Sequence, residues 1–169
     1  LLTGLAARAA AQAAAQPTDE RLFVIGVLSD IGHLVLYQTV PELAAMAQRE
    51  ADAGRDTLDA AERRIVGCDF AEVGAALMDR WQLPDRFAGA IGTQMLPRLG
   101  GAFAADAAAL HLARRIAEAD AKGEASTDAA ASVAADVWPL IGLAPEQLGA
   151  IREEAELNLA AYLALFFPR

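Results

Sequence analysis

The chain has 169 residues, of which 55% are hydrophobic and 22% are charged, a balance that excludes an intrinsically disordered protein and fits one globular domain over residues 1–169. Its 23 acidic and 14 basic residues give a formal charge of −9. This charge argues against nucleic-acid binding, because such binding needs Lys and Arg to neutralise phosphates. Alanine, the residue that costs least in a helix interior, is abundant, so we expect an all-α fold.

The first predicted helices occupy the N-terminal part of the chain. Residues 1–16 form an alanine-rich helix that Pro17 ends. Thr18 or Asp19 caps a second helix, which runs to about Gln38. This second helix is apolar nearly all round, which is typical of a helix at the centre of a fold.

Two apolar runs inside the second helix, residues 22–28 and 34–37, are also compatible with buried strands. Periodicity alone does not separate a short apolar strand from a buried helix, and we favour the helix. Gly26 and Gly32 would weaken that helix by about 1 kcal/mol each relative to Ala. They would also allow neighbouring helices to approach closely.

Capping patterns divide the middle of the chain. The predicted helices there run from Thr39 to Gly54, from Thr57 to Val66 with a stop at Gly67, from Asp69 to Trp81, and from Asp85 to about Gln94, with Pro84 suited to the first turn. Thr39 and Asp69 are expected to be N-caps, since Glu42 and Glu72 follow them at the spacing of a capping box. Trp81 is expected to anchor the core.

Proline and glycine residues that interrupt helices divide the last part of the chain into three more predicted helices. They follow a loop at residues 97–101 and cover residues 103–122, 128–138 and 145–166. No internal repeat and no long charged linker interrupts the sequence, which agrees with a single domain. Because the sequence begins on Leu, we expect it to be a fragment of a longer, multidomain signalling protein.

The location of the protein is predicted from its cysteine content and its apolar stretches. Cys68 is the one cysteine and forms neither an internal disulfide nor a multi-cysteine zinc site, so a cytoplasmic location is the simpler expectation. Residues 1–16 lack the basic start of a signal peptide. We see no apolar stretch of the roughly 20 residues that span a bilayer, the longest candidate being residues 157–167, and expect no membrane association.

Three segments carry motif-like patterns in a fixed order. They contain Ser29-Asp30-Ile31-Gly32 within an apolar stretch, then Asp69-Phe70 with Glu72-Val73-Gly74, then Trp81-Gln82-Leu83-Pro84 followed by Ala90-Ile91. Together they resemble the HDOD family, the HD-related output domain of bacterial signalling proteins, which is a non-catalytic relative of the HD metal phosphohydrolases. The resemblance covers residues 23–94 and implies a compact, all-α, HD-like bundle, here without the family's N-terminal helices.

The same resemblance implies a degenerate active site. HD phosphohydrolases hold a divalent metal with histidines, an adjacent His-Asp pair and a distal Asp, because the metal must activate a water and polarise a phosphoryl oxygen. One carboxylate does not fix a metal in that geometry, and Asp30 is the one ligand type that remains. The residues at the corresponding positions are Ser29, Asp30, Phe70, Thr93, Gln94 and, near the distal Asp, Arg114.

Other side chains offer little to replace the lost ligands. Asp30 and His33 lie three residues apart on one helix face and could form an acid–base pair, but a structural contact is the favoured interpretation. His111 has no partner at a metal-binding spacing and is expected to be a packing or partly exposed histidine. Cys68 precedes a predicted helix start without an identifiable base, so we expect an inert small residue.

We therefore expect no catalytic residue, no metal and no cofactor. The leading hypothesis is a non-enzymatic regulatory output domain that binds signalling proteins, fused receiver or sensor domains, or a small molecule. Two alternatives remain open: a residual metal-dependent phosphohydrolase that uses Asp30 and His33, and a nucleotide-sensing domain whose Arg114 and Arg115 bind phosphate without hydrolysis. The candidate cavity is lined by Ser29, Asp30, His33, Phe70, Thr93, Gln94 and Arg114.

Overall fold

Helices joined by short turns make up the fold, which a computed structural model describes for residues 1–15 and 20–166. The α-helices are α1 (Leu2–Ala13), α2 (Glu20–Leu28), α3 (Ile31–Thr39), α4 (Pro41–Asp52), α5 (Leu58–Ile65), α6 (Phe70–Arg80), α7 (Asp85–Thr93), α8 (Ala104–Lys122), α9 (Ser126–Ala131), α10 (Val137–Ile141) and α11 (Leu148–Phe166). Two 3₁₀ turns, Pro97–Leu99 and Gly101–Phe103, precede α8, and a third, Pro145–Gln147, leads into α11. The described residues contain no β-strand, and the predicted all-α bundle is confirmed.

Helix α1 lies at the centre of the main core. It packs against α2, α8 and α11, and five of its seven buried residues are alanine, whose small side chain lets helices approach closely. A smaller core of Leu36, Ala44, Phe70 and Ala71 joins α3, α4 and α6. This second core is the one that positions the candidate site.

The predicted single helix that ends near Gln38 is wrong, because the chain forms two helices there. Helix α2 ends at Leu28 and α3 begins at Ile31. The Ser29 hydroxyl donates a hydrogen bond to the Gly26 carbonyl at 2.8 Å, and such side-chain bonds compete with the backbone pattern of a helix. Both apolar runs are helical, which excludes the strand alternative. The predicted stop at Pro17 and the caps Thr18 and Asp19 lie outside the described residues.

Gly26 and Gly32 allow close helix contacts, as predicted. A Cβ at Gly26 would lie 2.7 Å from the Cα of Gly4, where α1 crosses α2. A Cβ at Gly32 would lie 1.9 Å from the carbonyl oxygen of Phe70, where α3 crosses α6. Since real Cβ atoms do not approach backbone that closely, both crossings depend on glycine.

One of the two predicted capping boxes is present. An Asp69 carboxylate oxygen accepts the Glu72 N–H at 2.8 Å, and the Glu72 side chain accepts the Asp69 N–H at 2.9 Å. Thr39 does not cap α4, because its hydroxyl donates to the Val35 carbonyl of the preceding helix at 2.7 Å.

Two further predictions are wrong. Trp81 is not a core anchor, since it follows the last turn of α6 and is 51% exposed. The segment predicted as one helix over residues 128–138 forms the separate helices α9 and α10. Pro139 lies inside α10 rather than ending a helix, because an N–H in the first turn has no partner within the helix and proline can stand there.

The α2–α3 segment also corrects the expectation about apolar length. Residues Glu20–Thr39 are long and apolar enough to cross a membrane, with a mean hydropathy of 1.4, and 33% of the stretch is buried in the fold. The turn at Ser29 and Asp30 interrupts it. Length and composition alone are weak indications of a membrane span, since core helices of other proteins reach the same values.

Candidate functional site

Phe70, the first residue of α6, is the centre of the candidate site. Its side chain is fully buried, and the capping box at Asp69 fixes the start of its helix. The His33 ring stacks on the Phe70 ring with centroids 4.1 Å apart and an interplanar angle of 13°. The Arg114 guanidinium carbon lies 4.5 Å from the centroid of the same ring, a distance at which a cation and an aromatic face attract each other. The apolar Phe70 ring therefore contacts both the His33 ring and the Arg114 guanidinium.

Asp30 links α3 to α8. One Asp30 oxygen accepts a hydrogen bond from Arg114 Nη1 at 3.2 Å and lies 3.8 Å from His33 Nδ1. The Asp30 side chain is 56% exposed, so this ion pair is screened by water and contributes at most about 1 kcal/mol. Asp30 therefore links α3 to α8 through a contact that spans 84 residues of sequence.

Glu62 of α5 is part of the same cluster, and the sequence reasoning missed it. It is only 2% exposed, and one of its oxygens accepts the backbone N–H of Phe70 at 2.9 Å. That amide is in the first turn of α6, where it has no partner within the helix and where negative charge is stabilised. The other Glu62 oxygen lies 3.3 Å from His33 Nε2, a contact that lacks hydrogen-bond geometry.

The cluster of Asp30, His33, Glu62, Phe70 and Arg114, which we term the Phe70 cluster, does not fit a divalent metal. The two nitrogens of the His33 ring face different carboxylates, Nδ1 toward Asp30 and Nε2 toward Glu62, so the three possible ligands do not converge on one point. The Arg114 guanidinium contacts Asp30 and would repel a cation there. Within residues 1–15 and 20–166, no group of three or more His, Cys, Asp or Glu could hold a metal ion.

Gln94 joins a neighbouring set of structural contacts. Its side-chain amide is fully buried and donates to the carbonyls of Ser29 and Ile91, both at 3.0 Å. Its own backbone carbonyl accepts from Nδ1 of His111 at 2.9 Å. Gln94 therefore ties the α2–α3 turn to α7 and α8. Thr93 does not join this set, because its hydroxyl donates to Gly89 of its own helix at 2.7 Å.

The pKa values of His111 and Cys68 both shift in the direction that favours the neutral side chain. Burial lowers the pKa of His111 against the opposing effect of its hydrogen bond to Gln94, so the neutral ring is favoured. Burial, and then the nearby carboxylates of Glu72, Asp69 and Glu62, raise the pKa of the Cys68 thiol. A raised pKa favours the thiol over the nucleophilic thiolate.

A cleft of about 640 Å³ opens beside the Phe70 cluster, between α8 and the connection from α4 to α5. Its volume is in the range of small-molecule sites. Two arginines on its α8 wall share one carboxylate: Arg114 donates to Glu118 at 2.9 Å, and Arg115 donates to the other Glu118 oxygen. Other lining residues include Gln48, Asp56, Thr57, Asp59, His111, Lys122 and Ser132.

Comparison with known proteins gives the family of the chain. Two solved structures have the same fold. A "Putative phosphohydrolase" from Shewanella amazonensis SB2B matches with a TM-score of 0.70 and 24% identity over 92% of this chain and 57% of that one. The MmoQ response regulator from Methylococcus capsulatus str. Bath matches with a TM-score of 0.57 and 26% identity over 90% and 57%. The chain therefore spans 57% of the length of each structure.

A search of curated proteins finds no match. The family model of the HDOD domain matches residues 1–97, which is more than half of the chain and reaches further upstream than the three motif segments. The chain belongs to the HDOD family.

Proposed function

We propose that this HDOD domain is a regulatory output domain without phosphohydrolase activity, and that it acts by binding a signalling protein or a small ligand. The observation that carries the proposal is the Phe70 cluster. Its polar side chains pair with one another and with a helix N-terminus, and none points with its neighbours toward a shared position for a metal.

The Phe70 cluster holds an aromatic ring and a guanidinium where hydrolysis needs a polarising metal cation. A metal-dependent hydrolase lowers the pKa of a bound water and stabilises charge on a phosphoryl oxygen. Here the Phe70 ring offers no ligand, and the Arg114 guanidinium is already the positive charge beside Asp30. Recovering a metal site would require several simultaneous changes, which supports a retained scaffold with another use.

One of the two comparison structures supports the regulatory class, because it is named a response regulator and has the same fold as this chain over 90% of the chain's length. The other is named a phosphohydrolase, so the fold by itself is compatible with either activity. The choice between them therefore depends on the side chains of the Phe70 cluster rather than on the fold.

Metal content and phosphodiester hydrolysis test the proposal together. We expect the chain, incubated with Mn²⁺ or Mg²⁺, to bind no stoichiometric metal and to hydrolyse bis-p-nitrophenyl phosphate no faster than a blank. The matched variants are Asp30→Asn in the cluster and Asp85→Asn on an exposed position of α7. Hydrolysis that is lost in Asp30→Asn and retained in Asp85→Asn would overturn the proposal.

A nucleotide sensor that does not hydrolyse its ligand is the second candidate, and the cleft beside α8 favours it. Arg115 is held in place by Glu118 and by the Ser132 hydroxyl at 2.9 Å, so its planar donor group is oriented before a phosphate arrives. Calorimetric titration with ATP, GTP and a cyclic dinucleotide tests this candidate. Binding should weaken at least about tenfold in Arg115→Met and be unchanged in Arg98→Met, whose side chain pairs with Asp136 outside the cleft. The absence of binding would eliminate it.

A further inference from the structure

The outer face of α4 has no partner among the residues that the structure describes. Helix α4 packs against α3 and α5, and its buried residues are Ala44 and Ala47. The side of α4 that faces away from these alanines lines a shallow depression of about 460 Å³. Its residues there recur at helical spacing: Glu42, Ala45, Met46 and Arg49. We term these four residues the α4 stripe. Met46 is 46% exposed at its centre.

The two charged residues of the α4 stripe are unpaired. Neither the Glu42 side chain nor the Arg49 side chain forms an ion pair or a hydrogen bond with any other part of residues 1–15 and 20–166. They also do not reach each other, since seven residues of α-helix separate them by about 10 Å. Nearby arginines behave differently: Arg55 and Arg64, which follow α4, both pair with Glu50. The stripe thus presents one free charge of each sign on either side of an apolar centre.

The arrangement of the α4 stripe is self-complementary. Glu42 and Arg49 are equally distant from the midpoint between Ala45 and Met46. When two copies of α4 lie antiparallel about a two-fold axis through that midpoint, Glu42 of each copy stands at the same height as Arg49 of the other. The same axis places each Met46 beside the small Ala45 of the second copy, so the helices can approach closely.

From this geometry we infer that α4 is the contact between two copies of the chain, with two reciprocal Glu42–Arg49 ion pairs around a Met46–Ala45 centre. The neighbouring apolar surface extends the contact. Leu43 is 37% exposed, and Tyr37 of α3 is 43% exposed and contacts Gln48 of α4 through its hydroxyl at 3.2 Å. At the same axis, Leu43 of one copy stands level with Gln48 of the other.

The strength of the association follows from its size and from the charge of the chain. One helix pair with its flanking side chains buries less than the roughly 800 Å² per partner of a standard interface. Each copy also carries a formal charge of −9, which opposes association outside the contact. The dimer is therefore weak and concentration-dependent, and the local ion pairs determine its orientation more than its affinity.

Charge exchange tests the inference in a way that other surfaces of the chain would not reproduce. Glu42→Arg and Arg49→Glu should each weaken self-association at least about tenfold, because each places like charges opposite each other twice. The double variant E42R/R49E should associate as the original chain does, since both pairs are restored with reversed sign. A mixture of the two single variants should form a heterodimer for the same reason. Sedimentation velocity over a concentration series measures all four samples.

Arg80→Glu is the matched control. Arg80 is exposed on α6 and forms no ion pair within the described residues. Its replacement by Glu changes the net charge by the same amount as Arg49→Glu. Its association should equal that of the original chain. Circular dichroism and the urea midpoint verify that each variant folds. The inference fails if the original chain is monomeric at every concentration, if the single variants associate as it does, or if neither the double variant nor the mixture recovers association.

Discussion

Replacing Gly32 with alanine tests the crossing of α3 and α6 that builds the Phe70 cluster. The added Cβ would lie 1.9 Å from the Phe70 carbonyl oxygen, 2.8 Å from the Phe70 carbonyl carbon and 3.0 Å from the Gly74 nitrogen. All three are backbone atoms, so no side-chain rotation relieves the overlap. The two helices must separate by about 1 Å or more before the contact becomes ordinary.

The expected loss of stability in Gly32→Ala follows from the rigidity of the backbone that the new Cβ would meet. Overpacking a well-packed core costs about 1 to 3 kcal/mol, and an overlap with backbone belongs at the upper end of that range or beyond it. Alanine returns up to about 1 kcal/mol through its helix propensity. We expect Gly32→Ala to lower the free energy of unfolding by about 2 to 4 kcal/mol. For a chain of this length, that corresponds to a fall of Tm on the order of 4 to 16 °C.

Urea unfolding followed by circular dichroism measures the change, and Gly74→Ala is the matched control. Gly74 lies at the same helix crossing, but its added Cβ would meet the Cγ2 of Ile91 at 3.0 Å, and a side-chain atom can move. We expect Gly74→Ala to cost less than about 1 kcal/mol. If Gly32→Ala were no more destabilising than Gly74→Ala, the close crossing would not be a determinant of the fold.

Two further predictions concern single side chains. Asp69→Ala should destabilise the chain by about 1 to 2 kcal/mol through the lost cap, whereas Asp69→Asn should cost less, because Asn still accepts the Glu72 N–H and removes a carboxyl whose pKa burial raises. Equal losses in a urea titration would contradict this. Burial lowers the pKa of His111 below 6.5. As the pH falls, the unfolded chain therefore takes up a proton before the folded chain does, and the stability of the fold decreases below about pH 6.5. His111→Asn, which can still donate to Gln94, should lose less stability between pH 7.5 and 5.5, and an unchanged pH dependence would refute the assignment.

Local patterns were readable from the sequence where the interacting groups lie within one helical turn. The capping box at Asp69 needs only Glu72, three residues away, and the stop at Gly67 needs only a backbone with φ +99° that favours glycine. The break at Ser29 was not readable in the same way. The Ser29 hydroxyl donates a hydrogen bond to the Gly26 carbonyl, but the start of α3 also depends on how α3 crosses α6 at Phe70.

In the candidate site, too, the sequence predicted some of the residues and tertiary contacts added another. The family resemblance identified Asp30, Phe70 and Arg114, and the structure brings them together with His33. Glu62 carried no comparable signal, because a glutamate in a short charged helix is usually solvated. Its burial depends on the Phe70 amide and the His33 ring, which belong to other helices.

The sequence by itself determined that the chain is all-α, because helix propensity and capping act between residues a few positions apart. Through the family resemblance it also predicted that Ser29 and Phe70 stand where HD phosphohydrolases have metal ligands, since residue identity needs no coordinates. Only the tertiary structure decided that Arg114 pairs with Asp30, that Glu62 is buried at a helix start, and that the side chains of Glu42 and Arg49 have no partner within the described part of the chain. These features depend on how helices cross, and crossings join residues as distant in sequence as Asp30 and Arg114, which no local pattern relates.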